Sequence, residues 1–326
     1  MPNDTLQLGL IQHACPPEAA PAESLARCCD MVRDAAGRGA TLVMTQELFT
    51  AHYFPQVEDD ALCDLAESLD PAAPGPSYAA LRSLASELRI TLSGSFFERR
   101  APGLYHNTTV TFGPDGSEVG RYRKMHIPDD PRFYEKYYFT PGDLGWQTFD
   151  LPEKRGRESF SHELETEHDV SFGKKTPDPF FRVGTLVCWD QWFPEAARLT
   201  ALKGASLLLY PTAIGYYNHP ELGETPEVRE QQLDAWTTVM RSHAIANGVF
   251  VAAANRVGIE NDLTFWGSSF VCGPDGKIIA QASRDREEVL VVACDRSLIE
   301  PQRRGWPFLR DRRIDAYGPL LQRMDD

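Results

Sequence analysis

Val187-Cys188-Trp189-Asp190-Gln191-Trp192-Phe193-Pro194-Glu195 stands between two apolar runs. The first, Val183 to Val187, has the length and content of a buried strand. Cys188 sits where that strand ends. Pro194-Glu195 suit the first turn of a helix that runs through Ala196, Arg198 and Leu199 to Lys203, and Gly204 stops it. The second apolar run, Ala205 to Tyr210, follows at once. Strand, cysteine, helix, strand is a βαβ pattern and calls for a parallel sheet. A thiol at the carboxyl end of a strand, next to a helix start, is well placed for a nucleophile. Backbone N–H groups and the helix dipole favour the thiolate there and can hold an oxyanion. A buried structural cysteine is the alternative, and six other cysteines compete.

Upstream, Leu6 to Ile11 is a short strand. Glu23 to Ala36 places Leu25, Cys28, Val32 and Ala35 on one helical face and ends at Gly37-Arg38-Gly39. Thr41 to Thr45 is a strand that delivers Gln46-Glu47 at its carboxyl end. Ser77 caps a second helix with Leu81, Leu84 and Leu88 on one face, and Ile90 to Phe97 is a strand. Thr108 to Phe112 and Glu118 to Tyr122 flank Gly113-Pro114-Asp115-Gly116, a hairpin signal, and Lys124 follows the second arm.

Downstream the same order returns. Gly39-Ala40-Thr41-Leu42-Val43 is matched by Gly204-Ala205-Ser206-Leu207-Leu208. Thr108-Thr109 and its Gly-Pro-Asp-Gly turn are matched by Ser268-Ser269 and Gly273-Pro274-Asp275-Gly276. The strand Ile90 to Phe97 finds its partner in Val249 to Ala254, after a helix from Asp234 to Ala246. Three matches in one order indicate an internal duplication, against chance recurrence of a common turn. Each half then supplies helices and a mixed sheet. Two such sheets packed face to face make an α/β fold, a four-layer α-β-β-α sandwich with a pseudo-two-fold.

The chain has 326 residues, 42% hydrophobic and 25% charged, which suits a soluble protein with a large core. No apolar stretch is long enough for a membrane, and the N-terminus has no signal-peptide pattern. Seven cysteines without zinc-like pairs read as reduced thiols in the cytoplasm. A net charge of −14 argues against nucleic acid and for cationic small molecules, although a solvated acidic surface explains it too. Residues 1–300 read as one domain. Within it, 153–179 lacks apolar periodicity and reads as an inserted polar surface loop. Residues 301–326 form a tail of bulky apolar and basic residues that packs on the core or on a second subunit.

Glu47, Lys124 and Cys188 each follow a strand, and strand ends on one side of a sheet are where sites assemble. A thiolate attacks an acyl carbon, a carboxylate shuttles the proton and an ammonium stabilises the oxyanion. These are the parts needed to cleave an amide or nitrile through a thioester. Lysines and glutamates are mostly surface residues, and His106, His126 and His243 are alternative bases.

The surrounding motifs narrow the choice. They are Thr45-Gln46-Glu47-Leu48-Phe49 with Tyr53-Phe54, Tyr122-Arg123-Lys124-Met125-His126-Ile127-Pro128-Asp129, Glu135-Lys136-Tyr137-Tyr138-Phe139 with Pro141-Gly142-Asp143, and Cys188 to Glu195. Tyr210-Pro211-Thr212-Ala213-Ile214-Gly215 and Arg310-Asp311-Arg312-Arg313 join them. Together they resemble the nitrilase superfamily, the carbon–nitrogen hydrolases, over essentially the whole chain except 153–179. The resemblance implies the four-layer sandwich, with Cys188 as nucleophile, Glu47 as general base and Lys124 as stabiliser of the tetrahedral intermediate. It implies that Glu135 positions Lys124 and the substrate amine, and that the Trp189 backbone N–H completes the oxyanion hole. It implies no metal or organic cofactor, and self-association to a dimer or larger.

Relatives that cleave carbamoyl amino acids need arginines near the cysteine as a clamp for a carboxylate. Here Asp190-Gln191 follow Trp189, and an acidic residue suits an ammonium instead. Asp129, Asp130 and Glu195 add to that field. Trp192, Tyr53 and Phe54 suit an apolar channel or attract a cation through their ring faces. The expectation is a small cationic substrate, a terminal ureido group on a short aliphatic amine.

Overall fold

The computed structural model describes residues 4–151, 180–218 and 224–324. The expected inserted loop, 153–179, lies outside the described residues.

Two six-stranded sheets carry the fold. The first is built from β1 (Thr5–Gln12), β2 (Leu42–Met44), β3 (Thr91–Ala101), β4 (Leu104–Phe112) and β5 (Glu118–Arg123). The second is built from β6 (Thr148–Leu151), β7 (Phe181–Thr185), β8 (Leu207–Pro211), β10 (Phe250–Ala254), β13 (Phe270–Cys272) and β14 (Ile278–Gln281). A small third sheet holds β9 (Gly215–Tyr217), β11 (Val257–Glu260) and β12 (Leu263–Trp266). The last strand, β15 (Glu288–Asp295), closes the first sheet beside β1.

The strand orders are β15-β1-β2-β3-β4-β5 and β6-β7-β8-β10-β13-β14. In each, an edge strand runs antiparallel to the next, three strands run parallel, and two antiparallel strands follow. The helices correspond as well. α1 (Pro21–Gly37) and α4 (Pro194–Leu202) follow the first parallel strand, and α2 (Pro76–Leu88) and α5 (Pro226–Asn247) follow the second. The duplication legible in the sequence is thus a duplication of the fold. The two Gly-Pro-Asp-Gly hairpins end on Gly116 at φ 77 and Gly276 at φ 78. Both need the left-handed conformation that glycine adopts without steric cost.

Alternation along the strands builds the layers. Leu6, Leu8, Leu10, Leu42 and Met44 point inward and meet Val183, Leu207, Leu209, Phe250 and Ala252 of the second sheet. Val43, Leu92 and Val110 point outward under α1 and α2, where Val32, Ala35, Leu81 and Leu84 cover them. Leu208, Tyr210, Val251 and Ala253 do the same under α4 and α5. The result is the α-β-β-α sandwich. A slip of one residue in β1 would turn its three inward leucines toward α1, where Gly9 leaves almost no room for a side chain, and would overpack that layer while opening cavities between the sheets.

One expected cap is not the one found. α2 begins at Pro76 with Gly75 at its N-cap, so Ser77 lies inside the first turn. The Ser77 N–H donates to Glu67 Oε2 at 2.9 Å, so a carboxylate from the preceding loop serves the helix end. Burial pushes Glu67 up to about 7, and those helix N–H donors offset part of that rise.

The tail carries α6 (Ile299–Gly305) and then two short 3-10 turns. Trp306, Phe308, Ile314, Leu320, Leu321 and Met324 are exposed along it. Among the described residues no helix is long and apolar enough to cross a membrane.

Candidate active site

The order of strands explains where the chemistry gathers. β2, β3 and β5 run in one direction, so the segments leaving β2 and β5 emerge on the same side. Glu47 lies three residues past β2, and its N–H donates to the Thr212 carbonyl just beyond β8, at 3.4 Å. That bond ties together the carboxyl ends of the two sheets. Lys124 is the first residue past β5, and its N–H donates to the Asn107 carbonyl of β4 at 2.9 Å. Glu135 opens a four-residue helical turn, α3 (Glu135–Tyr138). Cys188 opens a 3-10 turn, Cys188–Trp192, three residues past β7. Its φ is 39, a strained value for a side chain with a Cβ, which lifts the thiol off the strand end.

Lys124 Nζ lies 2.8 Å from Glu47 Oε1 and 2.6 Å from Glu135 Oε2, and all three side chains are fully buried. Asn107 Nδ2 donates to the same Glu47 oxygen at 2.7 Å. Glu47 Oε2 has no hydrogen-bond partner among the described residues. The Tyr53 hydroxyl donates to Glu135 Oε1 at 2.6 Å. Cys188 Sγ donates to the Ala213 carbonyl at 3.7 Å.

Burial works against charge on Lys124, but Glu135 and Glu47 outweigh it and hold the ammonium far above its ordinary range. Burial raises the Glu135 carboxyl, against the pull of Lys124 and with the push of Glu47. Burial raises the Cys188 thiol well above its ordinary value, Glu47 adds to the rise, and Lys124 opposes it. Burial thus acts against the thiolate that the strand end and the following turn would favour. The direction of that displacement favours the protonated thiol, from which a nucleophilic attack would need a base to take the proton. Glu47 Oε2, without a hydrogen-bond partner among the described residues, keeps its capacity to accept a proton.

Cys188 and Glu135 line a cavity of about 320 Å3. Its walls are largely aromatic, from Trp189, Trp192, Trp266, Phe133 and Tyr217. Asp130, Gln191 and Gln232 bring polar atoms to it, and among the described residues no Lys, Arg or His lines it. Trp189 and Trp192, expected at the substrate, line this cavity beside Cys188. Tyr53 is fully buried behind it and meets Glu135 instead.

Asp190 is a correction. Its side chain is fully buried and does not line the cavity. Oδ2 accepts from the Val187 N–H at 2.9 Å and the Tyr122 hydroxyl at 2.7 Å. Oδ1 accepts from the His126 N–H at 3.1 Å and from His126 Nδ1 at 2.7 Å. Four donors occupy the carboxylate, so it ties the cysteine turn to the lysine loop and is not free for a substrate ammonium. Asp129 and Glu195 are exposed and lie off the cavity, and Asp129 faces Lys136 at 3.9 Å. His106 and His243 bond backbone carbonyls of Thr140 and Gln191, so neither is placed as a base for the thiol.

Asn107 was not legible as a site residue, because an asparagine inside a strand carries no signal of the charge it will face. Among the described residues no group of three or more His, Cys, Asp or Glu side chains is placed to hold a metal ion.

A two-sheet sandwich with cysteine, lysine and two glutamates at the strand ends defines a class of hydrolase that cleaves carbon–nitrogen bonds. Residues 7–304 match the carbon-nitrogen hydrolase family, and the chain belongs to it. It is 37% identical over 302 residues to an N-carbamoylputrescine amidase of Arabidopsis thaliana, covering 89% of this chain and 87% of that one. It is also 37% identical over 306 residues to a citrullinase of Francisella tularensis, covering 93% and 94%. A solved carbon-nitrogen hydrolase of Helicobacter pylori G27 superposes with a TM-score of 0.83 at 40% identity, covering 98% of this chain and all of the other. The protein is a catalytic carbon–nitrogen hydrolase for an amide or ureido-type substrate.

Proposed function

We propose that the protein hydrolyses N-carbamoylputrescine to putrescine, ammonia and carbon dioxide. The observation that carries the choice is the cavity wall, which among the described residues presents the Asp130 and Glu135 carboxylates and no cationic side chain. A carboxylate on the substrate would find no partner there, whereas an ammonium on a short methylene chain finds aromatic faces and a carboxylate. The similarity to an N-carbamoylputrescine amidase supports the same choice.

In this proposal Glu47 Oε2 takes the thiol proton as Cys188 Sγ attacks the ureido carbon. The oxyanion is held by Lys124 and the Trp189 backbone N–H. Glu47 then gives its proton to the departing nitrogen, leaving a thioester on Cys188. Water, deprotonated by Glu47, attacks that thioester. Sγ leaves and regains its proton, and the released carbamate breaks down to amine or ammonia and carbon dioxide. Glu135 holds Lys124 and faces the substrate amine. The exposed apolar tail residues support a second copy of the chain as its partner. A monomeric mass by light scattering at micromolar concentration would sink that part.

A second reading is favoured by the equal identity to a citrullinase. Both are tested by ammonia release from N-carbamoylputrescine, citrulline and N-carbamoyl-β-alanine, with the native protein and Cys188→Ala. Turnover of the cation ahead of the other two, lost in the variant, is the expected result. Preference for citrulline moves the assignment to the second reading, and preference for N-carbamoyl-β-alanine overturns the role of the cavity charge.

A further inference from the structure

Leu48 directly follows Glu47, and its backbone is left-handed at φ 49. For a residue with a side chain, such a conformation costs about 1–3 kcal/mol and persists only where its surroundings enforce it. The Leu48 N–H donates to Ser95 Oγ at 3.2 Å. Its carbonyl accepts from Arg256 Nη2 at 3.0 Å, and the same nitrogen donates to the Ala51 carbonyl. Arg256 Nη1 donates to Glu260 Oε2 at 3.1 Å, and that oxygen also accepts the Tyr53 N–H. The Arg256 guanidinium lies 6.0 Å from the centre of the Tyr53 ring and 5.5 Å from that of Phe265. Arg256 and Glu260 are both buried, at 0% and 1% exposure. The pair belongs to the second half of the chain, between β10 and the end of β11, and it grips a loop of the first half.

The two ends of that loop matter. One is Glu47. The other is Tyr53, whose hydroxyl reaches Glu135. A planar guanidinium can bond two carbonyls and a carboxylate at once, which an ammonium on a flexible stem cannot do with the same geometry.

We infer that Arg256 is a positioning residue: with Glu260 it clamps Leu48–Tyr53, so that Glu47 and Tyr53 are held together on the Lys124–Glu135 pair. Arg256 in this role presupposes the proposed duties of Glu47, Lys124, Glu135 and Cys188 and is independent of which substrate is cleaved. The charged and titratable groups that feel Arg256 are Glu260, Cys15, His13, His52 and Glu47. Those around Glu135 are Lys124, Glu47, Tyr53 and Cys188.

The test compares Arg256→Lys, Tyr53→Phe and the double variant with the native enzyme. It measures kcat and KM across pH, per folded molecule, together with thermal unfolding. Arg256→Lys is expected to lower kcat between about tenfold and a hundredfold, with KM little changed. The acid limb of kcat/KM moves to higher pH, as in Tyr53→Phe, because Tyr53 no longer donates to the Glu135 carboxylate. The double variant moves it no further than the larger single change. If Arg256→Lys unfolds more readily but keeps native kcat and a native pH profile per folded molecule, or if the two changes multiply, the clamp is refuted. Should Arg256→Lys fail to fold, Glu260→Gln serves, since its amide oxygen still accepts from Tyr53 while the anchor of Arg256 is weakened. A smaller shift in the same direction supports the clamp, and a native profile refutes it. Native turnover in a Cys188→Ala control would instead overturn the site assignment itself.

Discussion

The molecule buries two clusters of opposite charge within a few residues of each other in the fold, and they differ in what their donors reach. Lys124 lies between Glu47 and Glu135, two members of its surroundings line or face a cavity, and one oxygen of Glu47 is unengaged among the described residues. Arg256 is paired with Glu260, and its remaining contacts include the main chain of a loop. An ammonium has three donors that rotate about one nitrogen, so a lysine with two carboxylates retains an N–H for a third acceptor. A guanidinium has its donors fixed in a plane and suits a frame. Burial of charge therefore does not mark a reacting group. The direction and the unspent hydrogen-bonding capacity of its atoms do.

The largest effect that separates the clusters is expected at Lys124. Lys124→Met removes the proposed oxyanion donor and should lower turnover about a thousandfold. It also leaves two buried carboxylates facing each other, a loss on the order of 3–5 kcal/mol. Part of that loss is recovered by protonation, because Lys124 is the main influence holding Glu135 down. In the native fold that carboxyl already binds its proton more strongly than in the unfolded chain, being raised to about 7, and without Lys124 it binds it more strongly still. Stability from that group is present below the unfolded pKa and is lost as pH rises. The melting temperature of the variant should thus go on falling above about pH 7, where this contribution to that of the native protein levels off. A flat difference across that range would mean Glu135 does not take up the proton.

Next comes Glu47→Gln, expected to cost about a hundredfold to ten-thousandfold in turnover. Its sign is informative at the thiol. Glu47 contributes to the upward displacement of Cys188, second to burial, so its neutralisation should lower the pH at which Cys188 reacts with iodoacetamide. Turnover falls while the thiolate becomes more available. If alkylation instead moved to higher pH, Glu47 would not be the charge that keeps the thiol protonated.

Tyr53→Phe is smaller, about tenfold or less, consistent with the loss of one hydrogen bond to a charged group. Tyr53 lowers the Glu135 carboxyl against the larger effect of burial, so the acid limb of kcat/KM should move up in the variant. An acid limb that stays put would detach Tyr53 from the reacting cluster.

These contrasts show what a single sequence can carry. Cys188, Glu47 and Lys124 stand out because each follows a strand, and strands that run in one direction deliver their carboxyl ends to one side. The duplicated turns at Gly113–Gly116 and Gly273–Gly276 made the layering legible for the same reason, since the backbone angle they require is local. Asp190 misled because a charge next to a nucleophile says nothing about which way a 3-10 turn aims it. In the fold its oxygens meet four donors from three segments. Arg256 could not be read at all, since the carbonyl it holds, that of Leu48, is 208 residues away in sequence. Nothing in Asn255-Arg256-Val257 signals a partner at such range.

The smallest effect tests the wall of the cavity and not its charged floor. Asp130 is exposed, so its attraction for a substrate cation acts through water and is worth on the order of 0.2–1 kcal/mol. Asp130→Asn should raise KM for N-carbamoylputrescine about twofold to fivefold, leave kcat unchanged, and lose its effect as salt is added. For a zwitterion such as citrulline the same change should be nearly neutral, because loss of attraction for the ammonium is offset by loss of repulsion for the carboxylate. A fall in kcat would place Asp130 among the reacting groups. An equal rise in KM for both substrates would make it a determinant of cavity shape, and the discrimination between cation and zwitterion would then have to come from Gln191, Gln232 and the aromatic faces around them.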